Sequence, residues 1–146
     1  IVDYVVPGQD IKTHASNHVL GEMNYLLELY NATPKPEYLS VAHAIRRGVE
    51  ALGDRWIREN DDLWYQVNPD LTFEGTDYVL VTLYDLLAAQ RNWQSVGEGP
   101  SPVFERLIRS KVRYLLENGH SLPSDVRRQL REQGLGDLLA EVSRGA

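Results

Sequence analysis

Apolar residues recur at intervals of three and four along much of the chain, which is the spacing that places them on one face of an α-helix. The first such stretch covers residues 16–30, and it ends where Pro34 and Pro36 remove backbone hydrogen-bond donors. A second amphipathic stretch covers residues 36–59. The pattern therefore predicts two helices joined by a short turn that contains proline.

After residue 60 the pattern becomes short, aromatic and β-favouring. Residues 63–67 read Leu-Trp-Tyr-Gln-Val and residues 71–73 read Leu-Thr-Phe, with an Asn-Pro-Asp turn between them, so we expect a small β-hairpin. Thr76 is then expected to cap a third helix that extends to about Arg91, with Asp77 in its first turn. Apolar residues occur on more than one side of this helix, which predicts an inner element that is more buried than the second helix.

A fourth helix is predicted over residues 102–117 and ends at Asn118-Gly119. A fifth covers residues 124–133, with Ser124 as its cap, and residues 137–142 add a last turn or two. The predicted fold class is therefore all-α, built of antiparallel helical hairpins with a small β-hairpin between helices two and three. We expect residues 1–146 to form a single helical domain.

Two segments of the chain are loosely similar. Residues 26–32 read Leu-Leu-Glu-Leu-Tyr-Asn-Ala and residues 83–89 read Leu-Tyr-Asp-Leu-Leu-Ala-Ala. Similarity on this scale is typical of layered helical hairpins, in which each pair buries its apolar face against the next pair. Two pairs would form an open arc of an α/α toroid, an incomplete ring. Because the sequence begins at Ile1 without Met and is strand-like through Val6, we expect a fragment of a longer chain.

Three segments in the middle of the sequence carry a family resemblance. They are Trp64-Tyr65-Gln66-Val67-Asn68-Pro69, Phe73-Glu74-Gly75-Thr76-Asp77-Tyr78-Val79-Leu80 and Leu83-Tyr84-Asp85-Leu86. Together these segments resemble the helical C-terminal domain of the D-glucuronyl C5-epimerase family, in which an aromatic β-turn leads into an inner helix. The resemblance covers about residues 16–93 and implies an α/α-toroid fold that acts on or binds saccharide. Residues 117–146 contain no tyrosine, so the family's catalytic tyrosine near the chain end has no match here.

Charge and composition narrow the choice of partner. The formal net charge is −6, which repels polyanions, so we expect no nucleic-acid partner. Basic residues gather in the C-terminal third at helical spacing with acidic residues, which predicts a solvated face; they are Arg106, Arg109, Lys111, Arg113, Arg127, Arg128 and Arg131. There are no cysteines and no run of apolar residues long enough to cross a bilayer. We expect a soluble protein without a cofactor; the compartment stays open, with a cytoplasmic location slightly favoured.

The candidate site lies where the chain leads into the first and third helices, because these two segments are expected to open at the same end of the helical layer. Aromatic rings stack on the apolar faces of sugars, and paired carboxylates can serve as general acid and base. The candidate catalytic residues are His14, His18, Glu74, Asp77 and Tyr78, and the candidate substrate-binding residues are Asn17, Trp64 and Tyr65. A structural role for these aromatics and acids is the alternative.

His14, His18 and Glu22 follow one another at four-residue spacing, so a helix would place them on one face. That spacing suits a metal ion, but no second segment supplies an obvious ligand beyond Asp10. We therefore expect no metal site and retain the two histidines as catalytic candidates.

Two functions remain open. The first is a saccharide-active or saccharide-binding fragment of a helical toroid, with uronic-acid-containing glycans as its candidate ligands. The second is a non-catalytic interaction domain that holds a partner, a second copy of itself or a further portion of its own chain. The first needs Trp64, Tyr65, Glu74 and Asp77 to converge on an open cleft, whereas the second needs a contiguous exposed apolar patch.

Overall fold

The computed structural model describes residues 14–141, and side chains are described for residues 16–140. The apolar segment 1–6, Asp10 and the predicted end of the last helix at Val142 lie outside this part of the chain. The described residues are mostly helical, with one small antiparallel sheet.

The helices are α1 (Ser16–Ala32), α2 (Pro36–Leu52), α3 (Val81–Ser95), α4 (Pro102–Glu117), α5 (Ser124–Glu132) and α6 (Leu138–Glu141). The strands are β1 (His14–Ala15), β2 (Trp64–Val67) and β3 (Phe73–Thr76), which form a sheet in that order. The boundaries of α4 agree with the prediction. Its first turn is capped by Ser101, whose Oγ accepts a hydrogen bond from the Phe104 amide at 3.3 Å.

The second helix is shorter than predicted because Gly53 ends it. Gly53 adopts φ +54°, a conformation that glycine reaches without steric cost, and its amide donates to the Val49 carbonyl. A 3₁₀ turn over Gly53–Trp56 follows, and Ile57 then forms a bridge with Leu63.

The predicted start of the third helix is wrong. Thr76 does not cap it, because Thr76 pairs with Trp64 as the last residue of β3, and α3 begins at Val81. Asp77 accordingly lies before the helix and not in its first turn. Ser124 is likewise the first residue of α5 and not its cap, since Pro123 occupies the capping position.

Helices α1 and α3 lie side by side and run in the same direction. Asn24 donates to the Asp85 carbonyl oxygen at 2.9 Å, and towards the C-terminal ends Asn31 donates to Ser95 Oγ at 2.7 Å. The prediction that α3 is more buried than α2 is confirmed. Eight of its side chains are buried, against three in α2: Ala42, Ile45 and Val49.

The two loosely similar segments do not occupy equivalent places. Residues 26–32 form the C-terminal part of α1, whereas residues 83–89 form the N-terminal part of α3. The similarity therefore reflects the composition of two neighbouring buried helices. It does not reflect an aligned structural repeat.

Candidate functional site

The residues directly before α1 meet the hairpin that leads towards α3, while the rest of the predicted entry to α1, residues 3–12, lies outside the described residues. Strand β1 pairs antiparallel with β2, with His14 opposite Val67, and the Ser16 hydroxyl lies 3.5 Å from the Trp64 carbonyl oxygen. Strand β3 leads directly into Asp77. The side chain of His14 lies outside the described part of the structure, so its predicted catalytic role stays a prediction.

Trp64 and Tyr65 point to opposite faces of the hairpin, because successive residues of a strand alternate. Trp64 shares its face with Glu74, whose carboxylate accepts a hydrogen bond from the Gln66 side chain. The Arg58 guanidinium covers the Trp64 ring at 4.9 Å from its centroid. These two aromatics therefore do not line one cleft.

Tyr65 lies on the other face and meets Tyr78. Their ring centroids are 5.7 Å apart and the rings are nearly perpendicular, while half of Tyr78 is exposed. Gly75 makes room for Tyr65, because a Cβ atom at Gly75 would lie 2.9 Å from the Tyr65 Cβ. The two tyrosines form an aromatic corner beside the start of α3.

Asp77 is buried and forms an ion pair that sequence reasoning did not predict. Its Oδ2 lies 2.9 Å from Nζ of Lys111, and Oδ1 of Asp62 lies 2.6 Å from the same nitrogen. All three side chains are almost completely inaccessible, so the assignment of Lys111 to a solvated face is wrong. Burial raises the pKa of Asp77, although hydrogen bonds from Thr82 and Lys111 oppose the shift.

The position of Lys111 does carry a signal in the sequence. Phe104, Ile108 and Leu115 are fully buried on α4, and Lys111 falls on the same helical face, between Ile108 and Leu115. A lysine within an apolar stripe needs buried acidic partners. Which carboxylates supply them depends on how the β2–β3 hairpin packs on α4.

Asp85 belongs to the segment Leu83-Tyr84-Asp85-Leu86, which carries part of the family resemblance. The sequence did not predict it as a site residue. It is half-buried on α3, and its pKa is raised to about 6, first by burial and then by the negative charge of Asp77, while His18 opposes the shift. His18 is exposed on α1, and Asn17 beside it is half-buried. The structure thus brings Asp77 and His18 within electrostatic range of Asp85. A carboxyl group with this pKa can hold or release a proton near neutral pH.

A second feature is an apolar groove of about 440 Å³ that runs beside α2. One wall is a stripe along α2, and the other wall and floor come from α1, the 3₁₀ turn and the hairpin turn. The stripe contains Val41, Ala44, Ile45, Gly48, Val49 and Leu52, and the remaining lining residues are Val19, Trp56, Val67, Asn68, Pro69 and Leu71. Val41 and Leu71 are each about half exposed, at 48% and 50%.

Neither a metal-binding cluster nor a membrane-spanning helix is found among the described residues. Among them, no three His, Cys, Asp or Glu side chains are placed to hold a metal ion. None of the helices in this part of the chain is long and apolar enough to cross a membrane.

Comparison of the chain with protein-family models, with curated proteins and with solved structures found no match in any of the three.

Proposed function

We propose that this protein is a non-catalytic helical interaction domain whose apolar groove binds an amphipathic helix. The observation that carries the proposal is the α2 stripe that lines the groove, whose residues recur at three- and four-residue spacing over about three helical turns and of which Val41, Ala44 and Gly48 are exposed. Grooves of this kind accept helices that present apolar residues at the same spacing. A contiguous apolar surface on a charged protein is the feature expected of an interaction module.

The cleft that saccharide binding requires lacks several of its predicted groups. Trp64 is covered by Arg58, Glu74 is bonded within the hairpin, and Asp77 is buried against Lys111. These contacts leave few of the predicted sugar-binding groups available on one surface, which supports the interaction function over the saccharide function.

Binding can be tested with synthetic amphipathic helical peptides that carry a fluorophore and differ in the charge of their polar face. Gly48 lies on the groove, and a Cβ atom there would meet nothing within 4 Å. Gln94→Arg, which adds the same side chain at an exposed position of α3 outside the groove, is the matched control for Gly48→Arg and should bind as the wild type does. Gly48→Arg should abolish the rise in anisotropy by filling the groove. Absence of saturable binding across the panel would refute the proposal.

Saccharide binding is a second candidate, favoured by one observation. The half-buried Asp85, with a pKa of about 6, lies near His18 at the same end of the helices as the Tyr65–Tyr78 corner. An aromatic surface beside an acid–base group suits a sugar ring. Titration with neutral and uronic-acid oligosaccharides, followed by NMR, should shift resonances of α1 and α3 in the wild type but not in Tyr78→Ala. A flat response would exclude this candidate.

We also propose that the two hairpins form an open arc of an α/α toroid. The support is that α1 and α3 run in the same direction side by side, with α2 and α4 returning antiparallel to them. In a layer of this kind the α2 groove is the place where the next helical element packs.

A further inference from the structure

The apolar groove ends in opposite charges. Glu37 lies in the first turn of α2, on the helical face of Val41, and is exposed. Arg55 lies in the 3₁₀ turn beyond the other end of α2. Its guanidinium is held at the hairpin, where it donates to the Leu71 carbonyl oxygen at 2.5 Å and lies 5.2 Å from the centroid of the Phe73 ring. The groove thus has Glu37 at one end, apolar residues in the middle and Arg55 at the other end.

Two charged side chains near the middle of α2, Arg46 and Glu50, face away from the groove. Arg46 contacts Glu50 and the Gly99 carbonyl, and Glu50 accepts a hydrogen bond from the Ser101 hydroxyl at 2.6 Å. Both side chains are therefore committed to the loop before α4. No ionisable side chain is among those that line the groove.

Such a surface is complementary to itself when two copies pair antiparallel. If Ala44 of one copy lies opposite Gly48 of the other, the first turn of one α2, which carries Glu37, lies beside the end of the other α2, where the 3₁₀ turn with Arg55 follows. Ala44 and Gly48 are small, so the two helix axes can approach closely. Two-fold symmetry makes both charge pairs form at once.

We infer that the groove is filled by α2 of a second copy of this chain, in a two-fold antiparallel dimer with Glu37 of each copy close to Arg55 of the other. This inference rests on the proposed function, since it names the helix that the groove binds.

Sedimentation velocity from low micromolar concentration upwards tests the dimer. The wild type and Gln94→Arg, which places arginine at an exposed position of α3 outside the groove, should associate as concentration rises, whereas Gly48→Arg should stay monomeric with an unchanged helical circular dichroism spectrum. A dimer that survives Gly48→Arg would overturn the inference, because association would then use another surface.

A charge exchange tests the orientation. Glu37→Arg and Arg55→Glu should each weaken self-association by on the order of tenfold, because each creates two like-charge contacts per dimer. An equimolar mixture of the two variants should restore association, since each variant then meets its opposite charge in the other. Lack of recovery in the mixture, with both variants folded, would refute the antiparallel arrangement. If Arg55→Glu does not fold, the comparison of Gly48→Arg with Gln94→Arg decides whether this groove forms the dimer.

The two proposals fail separately. A wild-type chain that stays monomeric yet binds the amphipathic peptides would overturn the dimer and leave the interaction function standing. A monomer that binds no peptide would overturn both.

Discussion

Replacing Lys111 tests how much its buried ammonium group stabilises the β2–β3 hairpin. Asp62 directly precedes the Leu63–Trp64 start of the hairpin, and Asp77 directly follows Thr76 at its end, so Lys111 contacts carboxylates at both ends of it. Lys111→Met removes the charge and retains most of the side-chain volume. Two buried carboxylates then lose their cation.

The expected cost follows from the contacts that remain. Asp62 keeps a hydrogen bond from the Leu63 amide at 2.8 Å and has Arg58 3.6 Å from its Oδ2. Asp77 keeps only the Thr82 hydroxyl, at 2.5 Å, among the contacts described. Removing one partner of a buried ion pair costs about 3–5 kcal/mol, which is a large part of the ~5–15 kcal/mol stability of a typical domain.

The assay is urea unfolding at neutral pH, compared with the triple variant Lys111→Met, Asp62→Asn, Asp77→Asn. Because the triple variant leaves no buried charge, it should lose much less free energy of unfolding than the single variant. The deficit of Lys111→Met should also shrink as pH falls, because Asp77 becomes protonated. A single variant within about 1 kcal/mol of the wild type, or a triple variant that is equally unstable, would refute the reasoning.

Three further predictions concern single positions. The pKa of Asp85 is about 6 in the folded state and lower when unfolded, so its contribution to stability is fully present below its unfolded pKa and is lost as pH rises through about 6. Asp85→Asn should therefore raise the melting temperature at pH 7 and reduce the pH dependence between pH 4 and 7, and a lower melting temperature at pH 7 would contradict this. Gly75→Ala should destabilise the hairpin by about 1–3 kcal/mol, because φ is +77° and the added Cβ would press on Tyr65; unchanged hydrogen exchange at the β2 amides would be the contrary result. Ser101→Ala should cost about 1–2 kcal/mol of unfolding free energy through the lost α4 cap and the lost hydrogen bond to Glu50, and chemical denaturation showing no loss would argue against the cap.

Much of the helical layout was predictable from local signals. Helix α4 has a serine cap, proline at its first position and Asn118-Gly119 after its end, and each of these acts within one turn of the backbone. The early end of α2 at Gly53 and the late start of α3 were missed because glycine conformation and strand pairing compete with helix-compatible periodicity. Pairing of Thr76 with Trp64 removed Thr76 from the helix.

The candidate site was predictable only in part. The sequence predicted where the candidate site lies, because the first and third helices were expected to be inner helices that start at the same end of the layer. It did not predict which side chains face a cleft. Strand register turned Trp64 and Tyr65 to opposite faces, and Asp77 was buried by a lysine on another helix.

By itself the sequence determined the helical class, the approximate helices, the hairpin between them and the net charge. Each depends on periodicity, composition or a few neighbouring residues. Only the tertiary structure decided that Lys111 joins Asp62, 49 residues away in sequence, and Asp77 in one buried ion pair. It also decided that burial and Asp77 raise the pKa of Asp85 to about 6 and that Val41, Ala44 and Gly48 of the α2 stripe stay exposed. The physical reason is that burial and the strength of a charge pair depend on which distant elements pack together.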